Sequence, residues 1–351
     1  MTRPNIILVC CVSLLISFQT TAQDQNYSQF FNNDLYYNPA TTGLYLGLRT
    51  SVNYRNQWTN LPYDFKSYNV AVDIAERALP GAGGIGLLVH HNSEGEGLLE
   101  YTMAALNLST RIPINENLVT QFGVATAFAQ RRINWDKLIF TDQLDDIHGV
   151  SSTSNFTPPE ENNLVYPDFN VGTVLNYIGE NINSRIGAAF HHIFTPKIGF
   201  VENESTLPMK FVAHGDVMFL VSDNSMFRKR SNDAKVNPGA LFETQQGSSA
   251  FSLGLNGYKS LIYLGVWYRN EDINTLNVNY LIFMAGVNIP FNDESRIKVM
   301  YSYDYVMDKI TTSGGTHEIS MIVEFDAANI FGYVPSGRGG TGRGPLECPA
   351  F

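Results

Sequence analysis

From Thr316 to Phe325, apolar and polar side chains alternate almost without exception. The odd positions carry His317, Ile319, Met321, Val323 and Phe325, and the even positions carry Glu318, Ser320, Ile322 and Glu324. A period of two belongs to a strand with one apolar and one polar face. The run has the length that a tilted strand needs to cross a bilayer, roughly ten residues, and it ends in an aromatic. It reads as the last strand of an outer-membrane barrel. A sheet in lipid must close on itself, because an open edge would leave backbone N–H and C=O groups unpaired.

The same rhythm recurs upstream. Tyr68, Val70, Val72 and Ile74 alternate, as do Ile262, Leu264, Val266 and Tyr268, and Ile297, Val299, Tyr301, Tyr303 and Tyr305. Taken along the chain it predicts strands near 47–58, 66–76, 83–92, 98–112, 118–132, 166–179, 184–195, 208–222, 237–246, 250–258, 260–269, 275–289, 295–306 and 315–325. That makes an all-β, antiparallel transmembrane barrel of about fourteen strands. An even number returns both ends of the sheet to one side, the periplasm. The connections fit: 58–65, 92–97, 133–165 and 195–207 are the outer loops, and 77–82, 113–117 and 179–183 are short inner turns. The inner turn 223–236 is longer and carries Arg228, Lys229 and Arg230. The longest loop is acidic, with Asp136, Asp142, Asp145, Asp146, Glu160 and Glu161. Asn69, Asp73, Glu100, Gln121, Asn170, Asn176, Asn279, Asn288 and Glu318 are expected to face the lumen.

Composition agrees with a barrel. Charged residues make up 16% of the chain, against a usual ~25%, while aromatics reach 12% and glycine 29 residues. A net charge of −10 argues against nucleic acid as a partner. Residues 1–22 read as a signal peptide, with Arg3 ahead of an apolar run from Ile6 to Phe18 and small residues at Thr20, Thr21 and Ala22. Cys10 and Cys11 lie inside it, so cleavage leaves Cys348 alone and no disulfide framework. No later stretch is apolar for the ~18 residues of a membrane helix.

Several motifs resemble chemistry and fail on context. Gly81, Gly83 and Gly86 fit a dinucleotide pattern, which needs a helix next; Leu87-Leu88-Val89-His90 reads instead as a strand. His90-His91 and His191-His192 place neighbouring side chains on opposite faces, which does not converge on one metal. Asp142, Asp145 and Asp146 lack the spacing of a calcium loop. Ser320 and Glu318 face away from His317, against a hydrolase triad. No cofactor or metal and no catalytic residue is expected.

Four stretches, in this order and at these separations, are fairly specific together: Tyr37-Asn38-Pro39-Ala40, Tyr54-Arg55-Asn56-Gln57-Trp58, Tyr301-Ser302-Tyr303-Asp304-Tyr305 and Gly315-Thr316-His317-Glu318-Ile319. Through them, essentially the whole mature chain resembles the PorP/SprF family of Bacteroidetes outer-membrane proteins, linked to type IX secretion and gliding motility. The resemblance implies a non-enzymatic barrel that supports export or surface anchoring of a large secreted adhesin. It would do so by binding the C-terminal domain of that client, periplasmic secretion subunits, or both. A passive diffusion porin is the alternative.

The expected organisation is a signal peptide (1–22), a periplasmic N-terminal segment (23–46), the barrel (47–325) and a periplasmic Gly/Arg-rich tail (326–351). The N-terminal segment is irregular and aromatic, and lies under or inside the barrel mouth or is a flexible tail. The C-terminal tail is either a docking segment on a flexible leash or simply solvated. Candidate partner-binding residues are Tyr36, Asn38 and Pro39 in the first, Arg228, Lys229 and Arg230 in the long turn, and Arg338, Arg343, Cys348 and Phe351 in the tail.

Overall fold

The structure, a computed structural model, describes residues 24–326 except 46, 64, 76–81, 96, 146, 160–161, 180, 201–204, 222–233, 272, 274–278, 293–294 and 308–312. The strands in chain order are β1 (Gly47–Gln57), β2 (Phe65–Ala75), β3 (Ala82–Glu94), β4 (Leu99–Pro113), β5 (Leu118–Ile133), β6 (Leu144–Asp145), β7 (Gly149–Val150), β8 (Asn163–Ile178), β9 (Ile182–His191), β10 (Lys210–Val221), β11 (Ala234–Gln245), β12 (Ser248–Lys259), β13 (Ile262–Asn270), β14 (Asn279–Asn292), β15 (Ser295–Val306) and β16 (Thr316–Asp326). Fourteen of them form one closed antiparallel barrel in sequential order, and β16 seals it against β1. The seam runs from Gly47 opposite Asp326 to Gln57 opposite Thr316, so no edge is left unpaired. The two short strands β6 and β7 pair only with each other, inside the long loop.

The alternation sorts the strands' side chains as their pattern predicts. On β16, Ile319, Met321 and Phe325 point outward and are exposed, while Glu318, Ser320 and Glu324 are buried inside. Ile322, the one apolar residue on the even face, is buried with them. Similar outward residues, among them Val70, Leu87, Leu106, Val124, Ile186, Leu264 and Phe283, make the apolar exterior that a bilayer requires. No helix among the described residues is long and apolar enough to cross a membrane; this chain crosses with strands. Of the expected lumen set, Asn69, Asp73, Gln121, Asn170, Asn176 and Glu318 are buried. Glu100 and Asn279 are corrections. They stand on the outward parity, set by inward Met103 on β4 and inward Tyr280 on β14, because both lie at strand ends where the pattern is too short to fix a face.

The core of this protein is inside the barrel. Residues 24–45 do not hang beneath it but thread through it as a strap of short turns: a 3-10 turn Phe30–Asn32, one α turn Asp34–Tyr37 and a 3-10 turn Pro39–Thr41. Tyr27, Phe30, Phe31 and Tyr37 pack against Tyr263, Trp267, Tyr280, Ile282, Met284 and Met300 of the wall. Phe30 meets Trp267 edge to face at 5.2 Å between centroids, a favoured aromatic geometry. Leu35 faces the opposite wall with Leu88, Met103, Ala105 and Ala127.

The strap's direction corrects one expectation. Asp24 bonds Gln245 and His192, and Gln25 bonds Gln57, all at the loop end of the strands. Gly43 reaches Asp73 and touches Gly83 and Gly84 at the turn end. The strap therefore runs the length of the lumen before β1 turns back. Gly47 and Asp326 share one end, as strand parity requires, but Asp24 lies at the other. An N-terminal segment and a C-terminal tail on one side does not hold for these residues.

Candidate functional site

The strap is held at four stations, each built from residues distant in sequence. The first is the most buried. Arg55 of β1 donates through Nη1 to Asp304 of β15 at 3.0 Å and to Glu318 of β16 at 3.1 Å. All three side chains are at most 2% exposed. The strap completes this triad. The backbone N–H groups of Ser28 and Gln29 donate to the two oxygens of Glu318 at 2.8 and 3.1 Å. The Ser28 hydroxyl donates to Asp304 at 2.5 Å and accepts from Arg55 at 2.7 Å. Asn53 donates to Glu318 at 2.9 Å, and Gln29 reaches Ser302 at 3.1 Å. Two carboxylates beside one guanidinium leave surplus negative charge, and the strap's N–H groups stabilise it by hydrogen bonding. A buried charge of this kind is tolerated only with such hydrogen bonds.

At the second station Asp34 of the strap pairs with Arg49 of β1 at 3.0 Å and with Arg185 of β9 at 3.6 Å. Arg185 also holds Asp216 at 3.0 Å. One carboxylate thus ties opposite sides of the barrel to the strap.

The third station is the Asn38-Pro39-Ala40 turn. Asn38 accepts from the Ala40 N–H at 2.9 Å, closing the turn. It donates to the Thr173 carbonyl at 3.1 Å and lies 3.1 Å from His214 Nε2. The turn presses on the wall so closely that a Cβ at Gly172 would sit 2.0 Å from Asn38 Oδ1, and one at Gly123 would sit 2.3 Å from the Ala40 nitrogen. Only glycine leaves that space. Below it, Gln121 and Ser109 donate to the Thr42 carbonyl at 2.5 and 2.7 Å, and Arg111 to the Gly43 carbonyl at 2.7 Å.

The fourth station closes the loop end. His192 sits just past β9 at φ 56°, so the strand alternation stops there and both His191 and His192 turn inward. His192 is held between Asp24 at 2.7 Å and Asp168 at 2.9 Å. Burial works against its charge, but the two carboxylates outweigh it and raise its pKa to about 9. Burial likewise opposes ionisation of Asp24, and the His192 charge overcomes it, holding that carboxyl well below the usual range.

Beside the strap, the wall of β3, β4, β5 and β8 stands off and leaves a cavity of about 310 Å³. Its lining includes Tyr36, His90, Tyr101, Asn107, Arg131 and Asp168.

These positions sort the expected binding residues. Asn38 is buried and its amide is committed within the chain, and Pro39 is buried with it; both fasten the strap instead of offering themselves to a partner. Tyr36 borders the cavity and donates to the Gln25 carbonyl at 2.9 Å. Arg228, Lys229, Arg230, Arg338, Arg343, Cys348 and Phe351 lie outside the described residues. The clamp residues Asp34, Arg49, Arg185, Asp216 and His192 were not among the expected ones. One signal for the triad was present, since Arg55, Asp304 and Glu318 each sit in a motif that carried the family resemblance.

The long loop folds on itself. Asp142 accepts from the Asn155 N–H at 2.6 Å and from Ser154 at 2.9 Å, and Asp145 accepts from the Ile147 and His148 N–H groups. Phe156 bridges Phe140 and Trp135. Ile139, Leu144, Ile147 and Val150 remain exposed on it, Ile147 at 85%.

Among solved structures, the chain is similar to a FadL homologue of Pseudomonas aeruginosa, at 11% identity and a TM-score of 0.44, over 83% of this chain and 93% of that one. It is also similar to the toluene transporter TodX of Pseudomonas putida, at 10% identity and 0.43, over 88% and 95%, and to BamA of Haemophilus ducreyi lacking POTRA domains 1–3, at 9% and 0.40, over 79% and 70%. No curated protein sequence matches. The family model for the type IX secretion system membrane protein PorP/SprF matches residues 19–323. The motifs that converge on the buried triad lie within that span, and the chain belongs to the PorP/SprF family of type IX secretion outer-membrane barrels.

Proposed function

We propose that this protein is a non-enzymatic component of the type IX machinery that anchors a large secreted protein at the cell surface, and is not a diffusion channel. The observation that carries the reading is the strap. A pore for free diffusion needs a wide wet lumen, whereas this lumen is occupied from end to end by residues 24–45, fastened at four stations. So much buried recognition suits a rigid scaffold with a fixed outer surface better than a conduit.

The short turns face the periplasm in this reading and the long loops face outward, following the rule for bacterial barrels. The exposed apolar residues of the 134–162 loop then stand outside the membrane, where an apolar patch marks a docking surface. Arg228, Lys229 and Arg230, and the residues after Asp326, are the candidates in this reading for contact with periplasmic subunits. Removing 337–351 is expected to leave the barrel folded and to lower recovery of a periplasmic partner.

The deciding experiment is purification of the full-length protein from its own membranes in mild detergent, with mass spectrometry of what accompanies it. A stoichiometric large secreted protein or a periplasmic secretion subunit supports the reading. A solitary barrel with porin-like conductance overturns it in favour of the diffusion pore.

A further inference from the structure

The 310 Å³ cavity has a shape and a set of unused hydrogen-bonding groups that the strap does not explain. It is narrow and long. Its β4 lining runs from Leu99, at the loop end, to Asn107, about 26 Å of strand at ~3.3 Å per residue. A cavity of 310 Å³ along that wall admits a few residues of one extended chain and no folded element. The lower end is blind, because Pro39 and Ala40 press on Gly123 just below Ala125.

At that blind end Asn107 is 0% exposed, and neither its Nδ2 nor its Oδ1 has a hydrogen-bond partner. Higher up, His90 Nε2 and Asp168 Oδ1 are also buried without partners. Native proteins leave few such groups, and each costs about 1–3 kcal/mol when nothing pairs with it. Asn107 presents N–H donors and a carbonyl acceptor side by side on a planar group. The complement is another amide. Between these polar points the lining is aliphatic, from Leu35, Leu88, Met103 and Ala105, and no charged residue lines the cavity at the level of Asn107. A phosphate or a free carboxylate would be buried there unpaired. An acyl chain would leave Asn107 unsatisfied.

We propose that this slot receives one extended polypeptide segment from the loop side, with a peptide group of the segment pairing with Asn107 and its apolar side chains lying on Leu88 and Met103. The inference rests on the reading that the barrel engages a secreted protein, and it names where a strand of that protein is held.

The test uses the full-length barrel in detergent and a pool of random pentapeptides capped at both ends. Peptides retained on the barrel are identified by mass spectrometry and compared with those retained on Met103→Trp, which fills the slot, and on Asn107→Leu, which removes its amide. Retention of aliphatic peptides by the native protein, falling roughly tenfold or more in both variants, supports the slot. Asn107→Leu keeps the branching and heavy-atom count of the side chain, so a folding failure of the larger substitution does not remove the test. Equal retention by all three proteins overturns the inference, as does retention of chito- or malto-oligosaccharides in place of peptides. Recovery of the secreted protein from native membranes separates the two readings. If both variants still recover it in full, the slot is not its receptor while surface anchoring stands; if even the native barrel recovers none, surface anchoring fails and the peptide pool alone judges the slot.

Discussion

The two walls of the lumen hold the strap to different extents. The wall formed by β1, β15 and β16 grips it. Arg55, Asp304 and Glu318 surround Ser28 and Gln29 with contacts of 2.5 to 3.1 Å. The wall formed by β3, β4 and β5 holds the strap at its turn end, through Ser109, Arg111 and Gln121, and at the Tyr27–His90 hydrogen bond; between these points it stands back, with Asn107 Nδ2 and Oδ1 and His90 Nε2 unpaired along a cavity. Both walls belong to the same sheet and have the same inward parity, so sheet geometry does not separate them. What differs is how densely their inward polar groups bond the strap, although single atoms of the gripping wall, such as Asn53 Oδ1 and Asp304 Oδ1, also lack a partner. Where the bonds are dense the lumen is a clamp; along the cavity there is room for something else.

The sharpest way to break the gripping wall is Arg55→Met. It leaves Asp304 and Glu318 buried together without a cation, which costs about 3–5 kcal/mol, read as a lower urea midpoint in detergent. Adding Asp304→Asn and Glu318→Gln removes the stranded charges, and the triple variant is expected to recover part of the loss. A single variant as stable as the native protein would mean that the triad does not hold the barrel.

A smaller effect is expected where the strap meets the wall by shape. Gly172→Ala places a methyl group 2.0 Å from Asn38 Oδ1, and the overpacking costs about 1–3 kcal/mol. Because the conflict is local, limited proteolysis within residues 24–45 should rise more than the global midpoint falls.

The loop-end latch gives a pH dependence with a definite sign. His192 has its pKa raised from 6.5 to about 9, so its contribution is complete below 6.5 and fades as pH climbs through about 9. Asp24 is held below its ordinary 3.8, so its contribution is complete above about 4 and fades as the solution becomes more acid. Protease sensitivity near Asp24 should be lowest between about pH 4 and 6.5 and should rise on both sides. In His192→Gln the alkaline rise should vanish.

The smallest effect belongs to the exposed loop. Ile147→Ser should change barrel stability by less than about 0.5 kcal/mol while lowering recovery of the secreted protein.

The barrel was legible in the sequence because lipid enforces a local rule. Every second residue of a strand must be apolar, and the alternation of residues such as Tyr68, Val70, Val72 and Ile74 is visible within a few positions. Fourteen expected strands overlap the fourteen that close. The lumen obeys no local rule. Ser28 and Glu318 are 290 positions apart, and Asp34 meets an arginine 15 residues away and another at Arg185. Nothing near Asp34 in the chain announces either. Asn38 and Pro39 illustrate the same limit: they were recognisable as special, but whether a special residue serves a partner or the protein's own wall depends on Gly123 and Gly172, whose only sequence mark is a missing side chain. The end of the barrel at which the N-terminal segment lies is not legible in the sequence for a related reason. Strand parity locates Gly47 and Asp326, but it says nothing of a segment that doubles back through the lumen.

The central claim is that the strap closes the lumen, and current through single barrels in a planar bilayer tests it most directly. The full-length protein is expected to pass no steady current, and a variant lacking residues 24–44 that still forms the barrel is expected to open. A steady porin-sized conductance from the native chain, unchanged by removing the strap, would contradict it.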